Sequence, residues 1–179
     1  IHVYDAFNPN NSLTATINVV GSEKEIEVSG EGLVRFSGGS GTMTLEVQGS
    51  SDAYEFMRVQ VPRGVQSLNF PLVSRQWTQG LAAQHRVSFE PDRGVVIGYF
   101  DQDDFEVYLD EGLNFPAQNI VYFNSEGRGL NQNEGVRGGG FIMYNVPIGM
   151  RTITVIPKHS KEYLVRTLVA EPGVLNLLK

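Results

Sequence analysis

The sequence predicts an all-β chain, built as two tandem antiparallel β-sandwich domains over residues 1–78 and 79–179. Three observations predict it. Short apolar runs alternate with Gly, Pro, Asn or Asp almost from end to end, the punctuation of a sandwich or barrel. The composition, with 20 glycines and abundant Val, Thr, Phe and Tyr, favours strands and turns over helices. The second half of the chain also repeats the first in constant register.

In chain order, strands are expected at 2–7, 13–20, 24–29, 33–37, 42–48, 54–61 and 65–73, and then at 86–90, 95–101, 105–110, 119–124, 141–146, 152–157, 163–170 and 174–178. Residues 74–85 form a polar stretch without strand alternation and mark the boundary between the copies. The helical turn suggested by 76–84 is short and interrupted by Gly80, so it counts for little. The repeat sets Gly41 over Gly149, Thr44 over Thr152 and Val47 over Val155, and continues with 57–61 over 165–169. Upstream, Ile17-Asn18-Val19-Val20 resembles Ile120-Val121-Tyr122-Phe123. Each copy is expected to hold a hairpin at its centre. Leu33 would then face Leu45 and Arg35 face Met43, while Phe141 faces Ile153 and Met143 faces Arg151.

Composition removes several function classes. There is no cysteine, which excludes disulfides, thiolate metal sites and a cysteine nucleophile. The net charge is −6 and the basic residues are scattered singly, so nucleic acid is not an expected partner. No apolar run approaches the ~20 residues of a membrane-spanning helix. The chain opens at Ile1 without an initiator methionine, which leads us to expect a processed chain or a piece of a longer protein.

The motifs of catalysis are absent as well. Gly138-Gly139-Gly140 and Gly38-Gly39-Ser40-Gly41 lead into strands, whereas a dinucleotide fingerprint needs a helix N-terminus behind its glycines. Turn geometry and close backbone approach account for both. His2, His85 and His159 are far apart in sequence, and neither a nucleophile elbow nor a paired-histidine zinc motif is present. His159 and Ser160 adjoin, but the sequence shows no group to orient the ring and no oxyanion site. No catalytic residue is assigned, and the chain is expected not to be an enzyme.

Binding candidates lie elsewhere. The run from Asp101 to Glu111 holds six carboxylates, and Asp101, Asp103 and Asp104 are the candidate ligands of a calcium ion, which takes about six to eight oxygens. The competing reading is a solvated strand edge that discourages aggregation, because alternation turns Phe105, Val107 and Leu109 inward and Glu106, Tyr108 and Asp110 outward. No other cofactor is implied. The polar connection 125–137 offers Arg128, Asn131, Asn133 and Arg137 for hydrogen bonding a peptide or sugar, or else is an idle loop. Trp77, the single tryptophan, could stack on a sugar ring or serve only as packing.

The stretch Gly139-x-Phe141-x-Met143-x-Asn145-Val146-Pro147-x-Gly149, followed by Ile153 and Val155, resembles the signature of the carboxypeptidase regulatory-like, or transthyretin-like (prealbumin-like), β-sandwich family. Residues 94–101 match its opening strand, and 168–177 its closing one. Arg151 departs from the pattern by replacing an aromatic residue, and the first copy has Ser37-Gly38-Gly39 where the second has Asn-Val-Pro. The resemblance implies a transthyretin-like or immunoglobulin-like fold and a non-catalytic accessory module. It further implies a secreted, periplasmic or cell-surface bacterial protein with a spacer, structural or adhesion role. Its partners would be a protein or a glycan, met at loops or at a sheet edge. The alternative is a carbohydrate-binding or enzyme-accessory module, stabilised by calcium.

Overall fold

The computed structural model describes residues 1–23, 25–32, 40–102, 104–110 and 114–179. Among these the chain is mostly β, with one α-helix, and its contacts divide it into two compact units. The first is Ile1–Thr78 together with Lys179, the second Gln79–Leu178.

The first unit contains β1 (His2–Asp5), β2 (Asn8–Ser12), β3 (Thr14–Val19), β4 (Glu25–Ser29), β5 (Thr42–Gly49), β6 (Met57–Pro62) and β7 (Asn69–Leu72). β2, β1 and β7 lie side by side, as do β6, β5, β3 and β4. Its core gathers Val3, Ala15, Ile17, Leu45, Val47, Met57, Val59, Phe70 and Leu72. Period-2 alternation selects them: along β5, Met43, Leu45 and Val47 are buried while Thr42 and Gln48 are exposed. β2, Asn-Pro-Asn-Asn-Ser, has no apolar side and is exposed throughout, so alternation could not reveal it.

The second unit contains β8 (Gly94–Tyr99), β9 (Phe105–Leu109), β10 (Ile120–Phe123), β11 (Gly140–Val146), β12 (Gly149–Pro157), β13 (Leu164–Ala170) and β14 (Leu175–Leu178). β10, β11, β8 and β14 are neighbours in that order, and β13, β12 and β9 form a separate three-stranded antiparallel sheet. Both groups of strands feed one core, in which Val96, Phe141, Met143 and Leu178 meet Phe105, Val107, Leu109, Ile153, Val155 and Leu168.

The units share a topology. Each begins with a strand that lies parallel to its last, β1 with β7 and β8 with β14. In each, the long strand after the repeat's turn, β5 or β12, pairs antiparallel with the strand that follows it. The third partner differs from the expected match. β3 pairs with β5 as β9 pairs with β12, so Ile17-Asn18-Val19 corresponds to 107–109 and not to 120–122. The resemblance to β10 reflects a shared strand composition only.

The central hairpin of the second copy does not form. β11 pairs with β10 and β8, setting Phe141 opposite Tyr122 and Gly98, while β12 pairs with β13 and β9. Pro147 and Ile148 therefore carry the chain from one layer to the other. Asn145 turns the backbone with a φ of +58°. Arg151 then holds the crossing: its guanidinium donates to the carbonyls of Pro147 (2.8 Å) and Ile148 (2.7 Å) and pairs with Asp110 at 3.1 Å. The pairings expected around Leu33 and Arg35, and the strand 33–37 itself, lie outside the described residues.

The stretch 76–84 belongs to a full helix, α1 (Arg75–Gln84). Ser74 caps it, its hydroxyl accepting the Trp77 N–H at 3.2 Å. Gly80 is exposed and costs about 1 kcal/mol relative to alanine, while Thr78, Leu81 and Ala82 are buried, which overrides that cost. Arg86, with a φ of +57°, ends the helix: its N–H bonds the Ala83 carbonyl and the Val87 N–H bonds that of Ala82. Residues 86–90, expected as a strand, continue from this cap without strand pairing.

Candidate functional site

The glycines of 138–140 serve the backbone. Gly138 has a φ of +71°. A Cβ on Gly139 would stand 2.1 Å from the Phe123 carbonyl oxygen, and one on Gly140 2.2 Å from that of Gly98. β11 sits between β10 and β8 at a separation only glycine allows at its start. The Asn145 side chain, buried, accepts from Glu90 N at 2.8 Å and donates to the Ser88 carbonyl at 2.7 Å. These contacts fasten the lead-in to β8.

The acidic run is engaged within the protein. Asp104 Oδ2 lies 3.0 Å from His159 Nε2, and the Asp104 carbonyl accepts from Lys158 N. Asp110 receives the Thr152 N–H at 2.6 Å as well as Arg151. Asp101 is exposed, while Asp103 and Glu111 lie outside the described residues. Among the described residues, no three His, Cys, Asp or Glu side chains converge as metal ligands would. His159 thus has an orienting carboxylate, but its neighbour Ser160 accepts the Glu162 N–H at 3.1 Å and the ring is largely exposed.

Hydrogen bonds tie down the connection 125–137. Asn124 Oδ1 accepts the N–H groups of Glu126 and Arg128, Leu130 N bonds the Tyr122 carbonyl, and Gly135 N bonds that of Phe105. Gly135 also packs against the tip of the Phe105 ring, where a Cβ would fall 2.0 Å from Cζ. Of the candidates on this loop, Arg128 pairs with Glu126 at 3.2 Å and Asn131 and Arg137 are exposed. Asn133 alone reaches the groove described next. Trp77 belongs to the first unit, half-buried with its ring 4.5 Å from that of Phe7.

The outer face of the β13-β12-β9 sheet presents the most suggestive surface. The side chains opposite the core are Glu106, Tyr108 and Asp110 on β9 and just beyond it, and Met150, Thr152, Thr154 and Ile156 on β12. β13 and the residue before it add Tyr163, Val165, Thr167 and Val169. Six of these, Tyr108, Met150, Ile156, Tyr163, Val165 and Val169, are large apolar groups left exposed. Met150 is 71% and Tyr163 68% accessible. Such groups scattered singly are ordinary, whereas here they cluster on one face.

Toward the Tyr108 end, the face deepens into an open groove of about 850 Å³, within the size range of small-ligand sites. Phe115, Ala117 and Ile120 wall it on the side leading to β10, and Asn133 stands at its rim. The Tyr108 hydroxyl donates to Glu106, which raises the Tyr108 pKa above the ordinary phenol value. Lys158 pairs with Glu134, and that bond raises the pKa of its ammonium. Beneath the groove, burial pushes the Tyr122 hydroxyl up to about 12, while it accepts the Val107 N–H at 3.0 Å. The alternation along β9 showed in sequence that Glu106, Tyr108 and Asp110 point outward. It could not show the partners that β12 and β13 bring alongside.

No family model matches the chain, and none of the curated proteins does. Among solved structures, the Bacillus anthracis TIE protein is similar to it at 11% identity with a TM-score of 0.27. That likeness covers 99% of this chain and 33% of the other, so the chain spans a third of that protein's length, and at this score it bears on neither fold nor function.

Proposed function

We propose that the chain is a non-catalytic binding module made of two tandem transthyretin-like β-sandwiches, part of a secreted or cell-surface bacterial protein. Its recognition surface is the outer face of β9, β12 and β13. The observation that carries this reading is the clustering of six exposed large apolar side chains on that face, beside a groove lined with polar groups. The groove favours the carbohydrate-binding role: tyrosine rings, threonine hydroxyls and carboxylates on a rigid sheet are the groups that hold sugars.

A spacer or adhesion role through protein contact is the second reading. It is favoured by Met150 and Val169, which face each other at the opposite end of the sheet, and by exposed Ile148 next to them. A glycan array probed with the whole chain separates the two. Glycan binding that survives Met150→Glu supports the first reading. A blank array, with adhesion of the parent protein abolished by Met150→Glu, supports the second and contradicts the first.

A further inference from the structure

Resting on the carbohydrate reading, the geometry points to a more specific ligand: we infer that the groove takes an uncharged oligosaccharide laid across the strands between Tyr108 and Tyr163.

The floor of the groove offers side chains and no free backbone. Along Ile153–Val155, β12 is paired on both sides, with β13 and with β9. A peptide could not add itself as a strand here, and recognition falls to hydroxyls and ring faces. Tyr108, Thr154 and Val165 stand abreast in one cross-strand row. Glu106 and Ile156 form the next, with Tyr163 just before β13. The two tyrosines are thus two strands apart, a lateral separation of about 10 Å, or roughly two pyranose rings end to end. Because its hydroxyl reaches Glu106, two residues back on the same face, the Tyr108 ring leans along β9. A ring held in this way costs little further entropy when a ligand stacks on it.

Polar groups remain unspent between these rings. The Thr154 hydroxyl, the Tyr163 hydroxyl and the Asn133 amide have no hydrogen-bond partner among the described residues, yet all line the groove. Together they present donors and acceptors to a ligand that carries both, as sugar hydroxyls do. Charge narrows the class. Among the described residues, Glu106 and Asp110 line the groove and no lysine or arginine does, while Lys158 and Arg151 pair with those carboxylates from outside it. A uronic, sialic or sulfated sugar would lose hydration without gaining a cationic partner in the groove, whereas a neutral hexose chain meets no such penalty.

The test is calorimetric titration of the full chain with neutral oligosaccharides (β-1,4-glucan, mannan and N-acetylglucosamine oligomers) and acidic ones (oligogalacturonate and heparin fragments). A neutral oligomer should bind. Tyr108→Ala and Tyr163→Ala should each weaken it about three- to tenfold, while Tyr108→Phe keeps the ring and most of the affinity. Trp77→Ala, in the other unit, should leave binding unchanged, and thermal melts verify that each variant is folded. Binding of acidic oligomers alone would overturn the inferred ligand class and leave the carbohydrate reading standing. Neutral binding indifferent to both tyrosine-to-alanine variants would overturn the site but not that reading. A panel with no binding at all would overturn both.

Discussion

Asn145 performs three tasks at once. It adopts a left-handed φ at modest cost, accepts one hydrogen bond and donates another, linking the end of β11 to residues 88 and 90. Asn145→Gly keeps the backbone geometry and loses the two bonds, and should cost about 1–2 kcal/mol in urea denaturation. Asn145→Ala loses both and should cost about 2–4 kcal/mol. The asparagine is visible in the Asn-Val-Pro motif, but its two close partners, Ser88 and Glu90, lie more than fifty residues away and no local pattern reveals them. Tyr122 offers a pH-dependent counterpart. Its hydroxyl is held protonated by burial, so its folded pKa exceeds the unfolded value of about 10. That contribution is complete below about pH 10 and is lost as the pH rises toward 12, amounting to about 2–3 kcal/mol. Tyr122→Phe should flatten this alkaline decline. It should also lower stability near neutrality, because the buried Val107 N–H loses its acceptor. Denaturant melts at stepped pH read both effects.

At the scale of elements, strand positions were legible wherever one face is apolar, as in β5, β9 and β12. Strand partners were not. The sequence around Pro147 reads as a hairpin turn because two alternating segments flank a Pro and a Gly, and periodicity is the same for strands in one sheet or in two. Arg151 is the residue that distinguishes them. The structure gives it the Pro147 and Ile148 carbonyls and the Asp110 carboxylate. Arg151→Met keeps the stem and removes the fork, and should cost about 1–2 kcal/mol, given that the pair is partly exposed. Helix α1 reads in sequence as a helical turn of little weight because Gly80 lowers its propensity, although Ser74 before it is a readable cap. Its other end rests on Arg86 in a left-handed conformation. Arg86→Gly should raise stability by about 0.5–1 kcal/mol, visible as a higher melting temperature.

For the whole molecule, the internal repeat was read from residues 41–47 and 149–155, and the two units share a plan in which first and last strands run parallel. The groove is harder to read from sequence than the strands. Loop residues such as Arg128 and Asn131 drew attention as polar groups, yet the groove is assembled from β9, β12, β13 and the approach to β10, segments spread over about sixty residues. Each contributes a residue that looks ordinary by itself; Tyr163 before β13 and Thr154 within β12 gain meaning only when the register sets them near Tyr108. We place recognition on this outer face, and not on the loops or the tryptophan. Nitrogen-15-resolved NMR of the labelled chain, titrated with the neutral oligosaccharide that binds, tests it most directly. Shift changes concentrated on Tyr108, Thr154, Tyr163 and Val165 are the expected result. Changes confined to Arg128, Asn131 and Arg137, or to Trp77, with the strands of that face unmoved, would contradict it.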